Sequence, residues 1–222
     1  PAFSWDGYNV PDTPAYTVDS DANTFTDTEL ANIVQVWARV AEMYSPLNIN
    51  VTTIDPLAYP DKVAMRVLIG GSGAWTGKGQ AGTAYVGSFY YDYRHNTAFV
   101  FSANISGDPA KTAITAGHES GHTFGLSHQS VYSGTTKVAE YNSGDSQKAP
   151  IMGQAFGKPR ALWWYGQAST SWKNWQDDLT VLASAWNGFG YRADEAGNTP
   201  AASGDLVVTP TTATGAGIIH RK

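Results

Sequence analysis

The chain contains no cysteine, which excludes disulfide bonds and any metal site built on thiolates. Charged residues are also scarce: they make up 15% of the 222 residues, and the net charge is −5. No cluster of lysine or arginine occurs, which argues against nucleic acid or an anionic membrane surface as a partner. No run of eighteen apolar residues occurs either, so we expect no membrane-spanning segment.

Three of the five histidines lie in one stretch of eleven residues, HESGHTFGLSH, which begins at His118. Residues four apart share one face of a helix, so His118 and His122 can bind one ion. Glu119 is rotated away from that line and can reach a water on the ion, which is the position of a general base. Gly125 can adopt a positive φ and end the helix, so that the chain turns back and His128 becomes the third ligand.

Three imidazoles with an open fourth position are typical of a catalytic Zn²⁺ site, where the ion lowers the pKa of its water to about 7. A closed structural site would need a fourth side chain, usually cysteine, which the chain lacks. The alternative is a helix with chance histidines. We favour the metal site because Glu119 and Gly125 occupy the two other informative positions.

The helix that carries the motif has its own start signal. Asp108 can cap free backbone N–H groups and Pro109 suits the first helical position, so we predict a helix over 109–124. Gly117 and Gly121 lie inside it at a cost of about 1 kcal/mol each relative to alanine. They predict the close approach of another backbone or of bulky side chains.

An earlier helix is predicted to begin at Asp27, after a capping box over 26–29, and to end at Pro46. Phe25 and Leu30 could form a hydrophobic staple at its start. Seven residues at helical spacing are expected to face the core: Leu30, Ile33, Val34, Trp37, Val40, Ala41 and Tyr44.

Strand-like runs rich in β-branched and aromatic residues follow. They cover 48–54, 63–69, 84–89 and 97–102. A short connection at 94–96 indicates antiparallel pairing, and the preceding helix allows a parallel neighbour, so a mixed sheet is expected. The glycine-rich segment 70–82 lacks the Gly-Lys-Ser/Thr ending of a phosphate loop and is interpreted as a surface loop, with an ion-binding role left open.

After His128 the chain is predicted to be loop-like until a final helix from Asn174 or Trp175 to Asn187-Gly188. Four residues at helical spacing are expected to pack there: Trp175, Leu179, Leu182 and Trp186. The segment 197–217 is rich in Thr, Ala, Gly, Ser and Pro, which is typical of a linker or of the start of a further module. Within the tail, 206–208 and 218–219 could be β pieces. Residues beyond about Thr199 are expected to add nothing to catalysis.

The histidine motif, followed by Met152 in a tight apolar turn, closely resembles the metzincin clan of zinc endopeptidases. The resemblance covers 27–186 and implies an α+β fold: a twisted mixed sheet and two helices over a cleft, then a small irregular lower subdomain ending in a helix. The catalytic domain would be 1–197, divided near residue 128, and 198–222 would be a linker or a truncated further module. Met152 would lie beneath the metal as an apolar support.

Three features depart from the clan's pattern. Gln129 follows the third histidine and matches no signature of the best-known subfamilies, so the subfamily stays open. Gln154 stands where astacin-like and serralysin-like enzymes place a tyrosine that reaches the metal, so no tyrosine ligand is expected from that position. The segment 15–19 is the only candidate for a first sheet strand, unless an upstream piece has been removed.

The resemblance implies a secreted, monomeric enzyme that hydrolyses peptide bonds in protein or peptide substrates. An extended substrate should pair with an exposed sheet edge, for which 84–89 is the candidate. Gln154, Ala155 and Phe156 are expected to wall the pocket for the side chain after the cleaved bond.

Other interpretations remain. The chain could be a carbohydrate- or protein-binding module with a non-proteolytic zinc site, because Trp163, Trp164, Trp172 and Trp175 could stack on sugars. It could also hydrolyse small amides, or be an inactive scaffold, although the intact Glu119 argues against inactivity.

A second ion is conceivable near the N-terminus. Asp19, Asp21 and Asn23 alternate like half of a Ca²⁺ loop, but the glycine and terminal glutamate of a full loop are missing. Turn and capping chemistry explains this run equally well.

Overall fold

A computed structural model describes residues 3–5, 7–19, 21–193 and 207–214. The helices are α1 (Asp27–Met43), α2 (Pro109–Thr123) and α3 (Asp178–Leu182), with short 3-10 turns at Ala74–Thr76 and Ser102–Ile105. The strands are β1 (Phe3–Trp5), β2 (Tyr8–Val10), β3 (Arg66–Ile69), β4 (Gly82–Thr83), β5 (Thr97–Val100), β6 (Val131–Ser133), β7 (Thr136–Ala139), β8 (Lys148–Pro150), β9 (Arg160–Leu162), β10 (Tyr165–Gln167), β11 (Trp175–Asp177), β12 (Val207–Val208) and β13 (Ala213–Thr214). The predicted α+β fold is confirmed.

The central sheet is mixed, as expected, with strand order β3-β5-β4. β3 runs parallel to β5 and β4 runs antiparallel to it, so the strands predicted at 63–69 and 97–102 are present. β5 is buried along its whole length and forms the centre of the upper half of the molecule. Helix α2 packs against both β5 and α1.

Two predicted strands are absent because their backbone groups find other partners. Residues 84–89 form turns, in which the Gly87 N–H donates to the His122 carbonyl at 2.8 Å. The strand on this side is β4, just before the predicted run. Residues 48–54 also form no strand; the Val51 carbonyl accepts from the Trp37 indole at 2.8 Å. Neither arrangement can be read from β-propensity, since both partners are distant in sequence.

Helix α1 begins with the predicted capping box but presents a different face to the core. Val36, Val40 and Tyr44 are buried, whereas Leu30 and Val34 are 47% and 60% exposed. Phe25 and Leu30 are both exposed, so the proposed staple is wrong. The predicted stripe is confirmed at Val40 and Tyr44 but is wrong at Leu30, Val34 and Trp37, which are exposed. The reason is the packing on α2, where the Tyr44 hydroxyl donates to the Gly117 carbonyl at 3.0 Å.

Helix α2 has the predicted boundaries to within one residue, with the Asp108 carboxylate accepting from the Lys111 N–H at 2.9 Å. Its two glycines are sites of close approach, as expected. A Cβ atom at Gly117 would lie 2.8 Å from the Met43 Sδ, and one at Gly121 would lie 2.6 Å from the Met152 Sδ. Met43 and Met152, one from each half of the molecule, therefore pack against the two glycines of this helix.

The final helix is much shorter than predicted. Residues 175–177 form β11, which pairs with β10, and α3 begins only at Asp178. Trp175 and Trp186 are 58% and 67% exposed, so their predicted packing role is wrong, whereas Leu182 is fully buried. The buried Asn187 amide donates to the carbonyls of Phe124, Val181 and Leu182, and it thereby joins the ends of α2 and α3.

The N-terminal strands also differ from expectation. The hairpin of β1 and β2 is present, and 15–19 forms no strand. The glycine-rich segment 70–82 is anchored at Trp75, whose ring lies 5.8 Å from that of Trp5 and 5.1 Å from that of Phe99. This aromatic cluster holds the segment against the sheet, so it is more than a surface loop.

The lower half is more regular than the predicted loop. It contains the ladders β6-β7, β8-β9 and β10-β11, each with two strands. In the tail, β12 pairs with β13, and the predicted β piece at 218–219 lies outside the described residues. The division at 197 stays a prediction. Among the described residues, no helix is both long and apolar enough to cross a bilayer.

Glu29 offers a test of the N-terminal packing. Its buried carboxylate accepts from the backbone N–H groups of Thr26 at 2.8 Å and Val18 at 2.9 Å, and these bonds lower its pKa to about 2. Because the folded-state pKa is depressed, the stabilisation should be complete above about pH 4.5 and disappear as the pH falls towards 2.

We therefore expect Glu29→Gln to be less stable than the wild type near neutrality, with a difference that shrinks below about pH 4. Chemical denaturation across a pH series measures this difference. A gap that stays constant from neutral to acidic pH would contradict the role given to the Glu29 charge.

Candidate active site

The three motif histidines converge at one point. His118 and His122 lie one turn apart on α2, and the chain returns after Gly125, whose φ is +100°. Each of the three histidines offers one ligand atom, and these three atoms lie within 4.8 Å of one another. Among the described residues, no other His, Cys, Asp or Glu joins this cluster. The structure thus assembles a three-nitrogen group that could hold a metal ion.

Each imidazole is oriented by an acceptor at its Nδ1. His118 Nδ1 lies 2.8 Å from the Ile151 carbonyl, and His122 Nδ1 lies 2.7 Å from the Leu126 carbonyl. His128 Nδ1 lies 2.6 Å from the Glu140 carboxylate. These acceptors favour a proton on Nδ1, which leaves the Nε2 lone pair of every ring for a metal.

Burial keeps the helix-borne imidazoles neutral. It lowers the pKa of His118 to about 4, and it lowers that of His122 well below the usual value, with the neighbouring histidines adding to the effect. Neutral imidazole is the form that coordinates a metal. Three imidazole nitrogens and an open side match the donor set of a catalytic zinc site.

Glu119 lies beside the histidines in a confined space. Burial raises the pKa of its carboxyl to about 8, and a cation held next to it would lower that value. A Cβ atom at Gly82 would lie 2.7 Å from the Glu119 Cγ and 2.8 Å from its Oε1. Gly82 therefore makes room for the carboxylate. Gly82 was expected in a surface loop, and no pattern in the sequence signals its place beside Glu119.

A cleft of about 400 Å³ opens over this group. Its lining combines the edge at 80–84, Val86, the α2 residues Ile114 and Thr115, the motif side chains, Tyr141 and the turn at 153–156. Gln154, Ala155 and Phe156 are thus brought to the cleft, and their role as a specificity pocket stays a prediction. No lysine or arginine is among these lining residues.

Residues 48–129 match the model of metallo-peptidase family M12B, described as reprolysin-like. The resemblance to the metzincin clan is confirmed. The match is shorter than half of the chain, but it includes α2 and all three histidines. No curated protein matches the chain.

Met152 and Gly125, for which a supporting role is predicted, both lie next to α2. Met152 is fully buried and reaches Gly121, which lies between the two helical histidines. Its carbonyl accepts from the Gln129 N–H at 2.8 Å, next to the third histidine. A side chain at Gly125 would approach the Tyr90 hydroxyl to 2.8 Å in addition to straining the backbone.

Gln129, the residue that departs from the known metzincin signatures, belongs to a buried polar network. Its side-chain amide donates to the Asp178 carboxylate at 2.7 Å, and the Gln176 amide donates to the same oxygen at 2.9 Å. The second Asp178 oxygen accepts from the Trp164 N–H at 2.9 Å. Burial raises the pKa of Asp178 to about 6. This network ties the third-ligand segment to α3.

Sequence reasoning missed Glu140 and Tyr141. Glu140 binds His128 and also Lys137, whose Nζ lies 2.6 Å from the other carboxylate oxygen. The Tyr141 ring lies 4.5 Å from the His128 ring, and burial raises the pKa of its hydroxyl. Neither residue belongs to a motif, and a β hairpin brings both to the site. No pattern in the sequence signals this.

The residues proposed to bind a second ion lie outside the histidine cluster. The carboxylate of Asp19 accepts from the Asp21 N–H at 2.7 Å, and that of Asp21 accepts from the Asn23 N–H at 2.8 Å. Turn hydrogen bonds thus account for this run, and the Ca²⁺ hypothesis gains no support.

The tryptophans proposed to stack on sugars divide into two kinds. Trp163 is a packing residue whose indole donates to the Met43 carbonyl at 2.6 Å, and Trp164 is partly buried. Only Trp172 and Trp175 are exposed.

Glu140→Gln tests the orientation of the third histidine. The variant keeps an oxygen near Nδ1 but loses the charge that strengthens the imidazole as a ligand, so we expect zinc affinity to fall by about 10- to 100-fold. Chelator competition measures the dissociation constant. Glu42→Gln, at an exposed position of α1, is the matched control. Equal zinc affinity in all three proteins would remove Glu140 from the site.

Proposed function

We propose that the chain is a zinc-dependent endopeptidase that cleaves peptide bonds by water attack, with Glu119 as the general base. One observation carries the proposal. Three imidazoles have their Nδ1 atoms engaged by acceptors and their remaining nitrogens gathered beside a buried carboxylate at the floor of an open cleft. The metallopeptidase match over the same residues supports it.

His118, His122 and His128 would hold the zinc ion. Zinc bound there supplies Lewis-acid chemistry, since it acidifies water and polarises a carbonyl oxygen. The neutral imidazoles leave the positive charge of the ion undiminished, which favours both effects. Cysteine is absent from the chain, so the site cannot be closed by a thiolate.

Glu119 is proposed to move the proton. Its carboxylate accepts a proton from the attacking water and then donates it to the nitrogen of the departing amine. No covalent acyl-enzyme is required. The lack of a side chain at Gly82 leaves space around Glu119 Oε1 for both transfers.

The substrate is proposed to lie extended along β4, which replaces 84–89 as the candidate edge. Among the described strands β4 pairs with β5 alone, which leaves its other side for a peptide backbone. Gln154, Ala155 and Phe156 line the same cleft and would contact the side chain after the cleaved bond. An acidic side chain is disfavoured there, because no lysine or arginine lines the cleft.

We also infer the wider organisation from the resemblance. Residues 1–197 would form the catalytic domain, with Met152 and Gly125 as structural supports, and 198–222 would be a linker or the start of a further module. Monomeric state and secretion are parts of the same proposal.

The decisive experiment pairs metal analysis with digestion of a peptide library read by mass spectrometry. We expect one zinc per chain, and cleavage that stops with a chelator and returns when zinc is added. Cleavage at internal bonds would identify an endopeptidase. Zinc binding without cleavage of any peptide would overturn the proposal and favour a non-proteolytic site.

Glu119→Gln tests the base. The variant keeps the shape of the side chain but cannot accept the proton, so we expect kcat to fall by about 10²- to 10⁴-fold while zinc content stays at one per chain. Glu42→Gln, which lies away from the cleft, should retain full activity. Near-normal turnover by a zinc-loaded Glu119→Gln protein would show that another group acts as the base.

A further inference from the structure

Tyr141 is the one aromatic hydroxyl in the cleft lining, where it stands with His118, Glu119, His122 and His128. Its ring centroid lies 4.5 Å from that of His128 and 6.2 Å from that of His118. The side chain is 45% exposed, so the phenol is open to a molecule bound in the cleft. Within the described part of the chain, the hydroxyl has no hydrogen-bond partner, and its donor capacity is unused.

The backbone on both sides of Tyr141 is fixed to the third-ligand segment. The Asn142 N–H donates to the Gln129 carbonyl at 2.7 Å, and the Ser130 hydroxyl donates to the Glu140 carbonyl. The Asn142 carbonyl in turn accepts from the Gln154 N–H at 2.9 Å. Tyr141 is therefore held by the two segments that border the lower side of the cleft, and a donor held in this way needs little reorganisation during a reaction.

Peptide hydrolysis creates a need for such a donor. When water adds to the scissile carbonyl, its oxygen gains negative charge, and a preorganised hydrogen bond to that oxygen lowers the barrier. The motif side chains are unsuited to this, because the histidines present lone pairs and Glu119 is assigned to proton transfer. A phenol O–H can donate to an oxygen while keeping its own proton.

We propose that Tyr141 is a catalytic residue whose hydroxyl donates a hydrogen bond to the substrate carbonyl oxygen as charge develops on it. No bond to Tyr141 forms or breaks, and no proton leaves the phenol. The inference rests on the proposed peptidase function, and it adds a group that no motif in the sequence supplies. It also gives a chemical role to the hairpin that carries Glu140.

Tyr141→Phe removes only the hydroxyl, and Tyr165→Phe, on a strand outside the cleft lining, is the matched control. We expect kcat of Tyr141→Phe to fall by about 10- to 100-fold with KM nearly unchanged, because the bond forms in the transition state. A phosphinic peptide, whose tetrahedral phosphinyl oxygen imitates the charged oxygen, should bind more weakly by a similar factor. Tyr165→Phe should match the wild type in all of these.

A second readout separates this role from metal binding. Zinc affinity, measured by chelator competition, and the absorption spectrum of the Co²⁺-loaded protein should be the same in Tyr141→Phe and the wild type. A changed spectrum or a weaker zinc affinity would make Tyr141 a ligand and overturn the proposal. Unchanged kcat and phosphinic-peptide binding in an active enzyme would overturn it as well. If the wild type cleaves no peptide, the failure lies in the proposed function itself.

Discussion

The hydrogen bonds at the three Nδ1 atoms are the constraint on which the site depends. Two of the acceptors are backbone carbonyls, at Leu126 and Ile151, so the directions of His118 and His122 are set by main-chain positions. Leu126 follows the turn at Gly125, and Ile151 precedes Met152. The fold of both halves of the cleft is therefore a condition for the histidines to face one centre, and a helix with the same spacing would not suffice alone.

Local patterns predicted what local forces determine. Helical spacing, the Asp108 cap and Gly125 specified α2 and its turn, and the structure agrees within one residue. Capping chemistry likewise located the start of α1. Two predictions failed because a distant partner decides the outcome. The face of α1 depends on a hydrogen bond between Tyr44 and Gly117, and 84–89 is diverted from strand pairing by carbonyls at the end of α2.

The strands of the lower half were not predicted, for a related reason. Its order comes from short ladders and a buried polar network around Asp178, and apolar periodicity played little part. The helical spacing of Trp175, Leu179, Leu182 and Trp186 suggested a long helix, yet Trp175 and Trp186 are largely exposed. Glu140 and Tyr141 could not be chosen from sequence because hairpin pairing, which brings them to His128, leaves no motif of its own.

The contact between Gly121 and Met152 has a consequence for the chemistry of sulfur. The Met152 side chain is sealed from solvent, and its Sδ lies where even a single methyl group on residue 121 would collide. Conversion to the sulfoxide adds a polar oxygen to that atom, for which the tight contact leaves no space. Oxidants can therefore attack this thioether only after the two halves of the molecule separate, so the native packing shields its most confined methionine from oxidative damage.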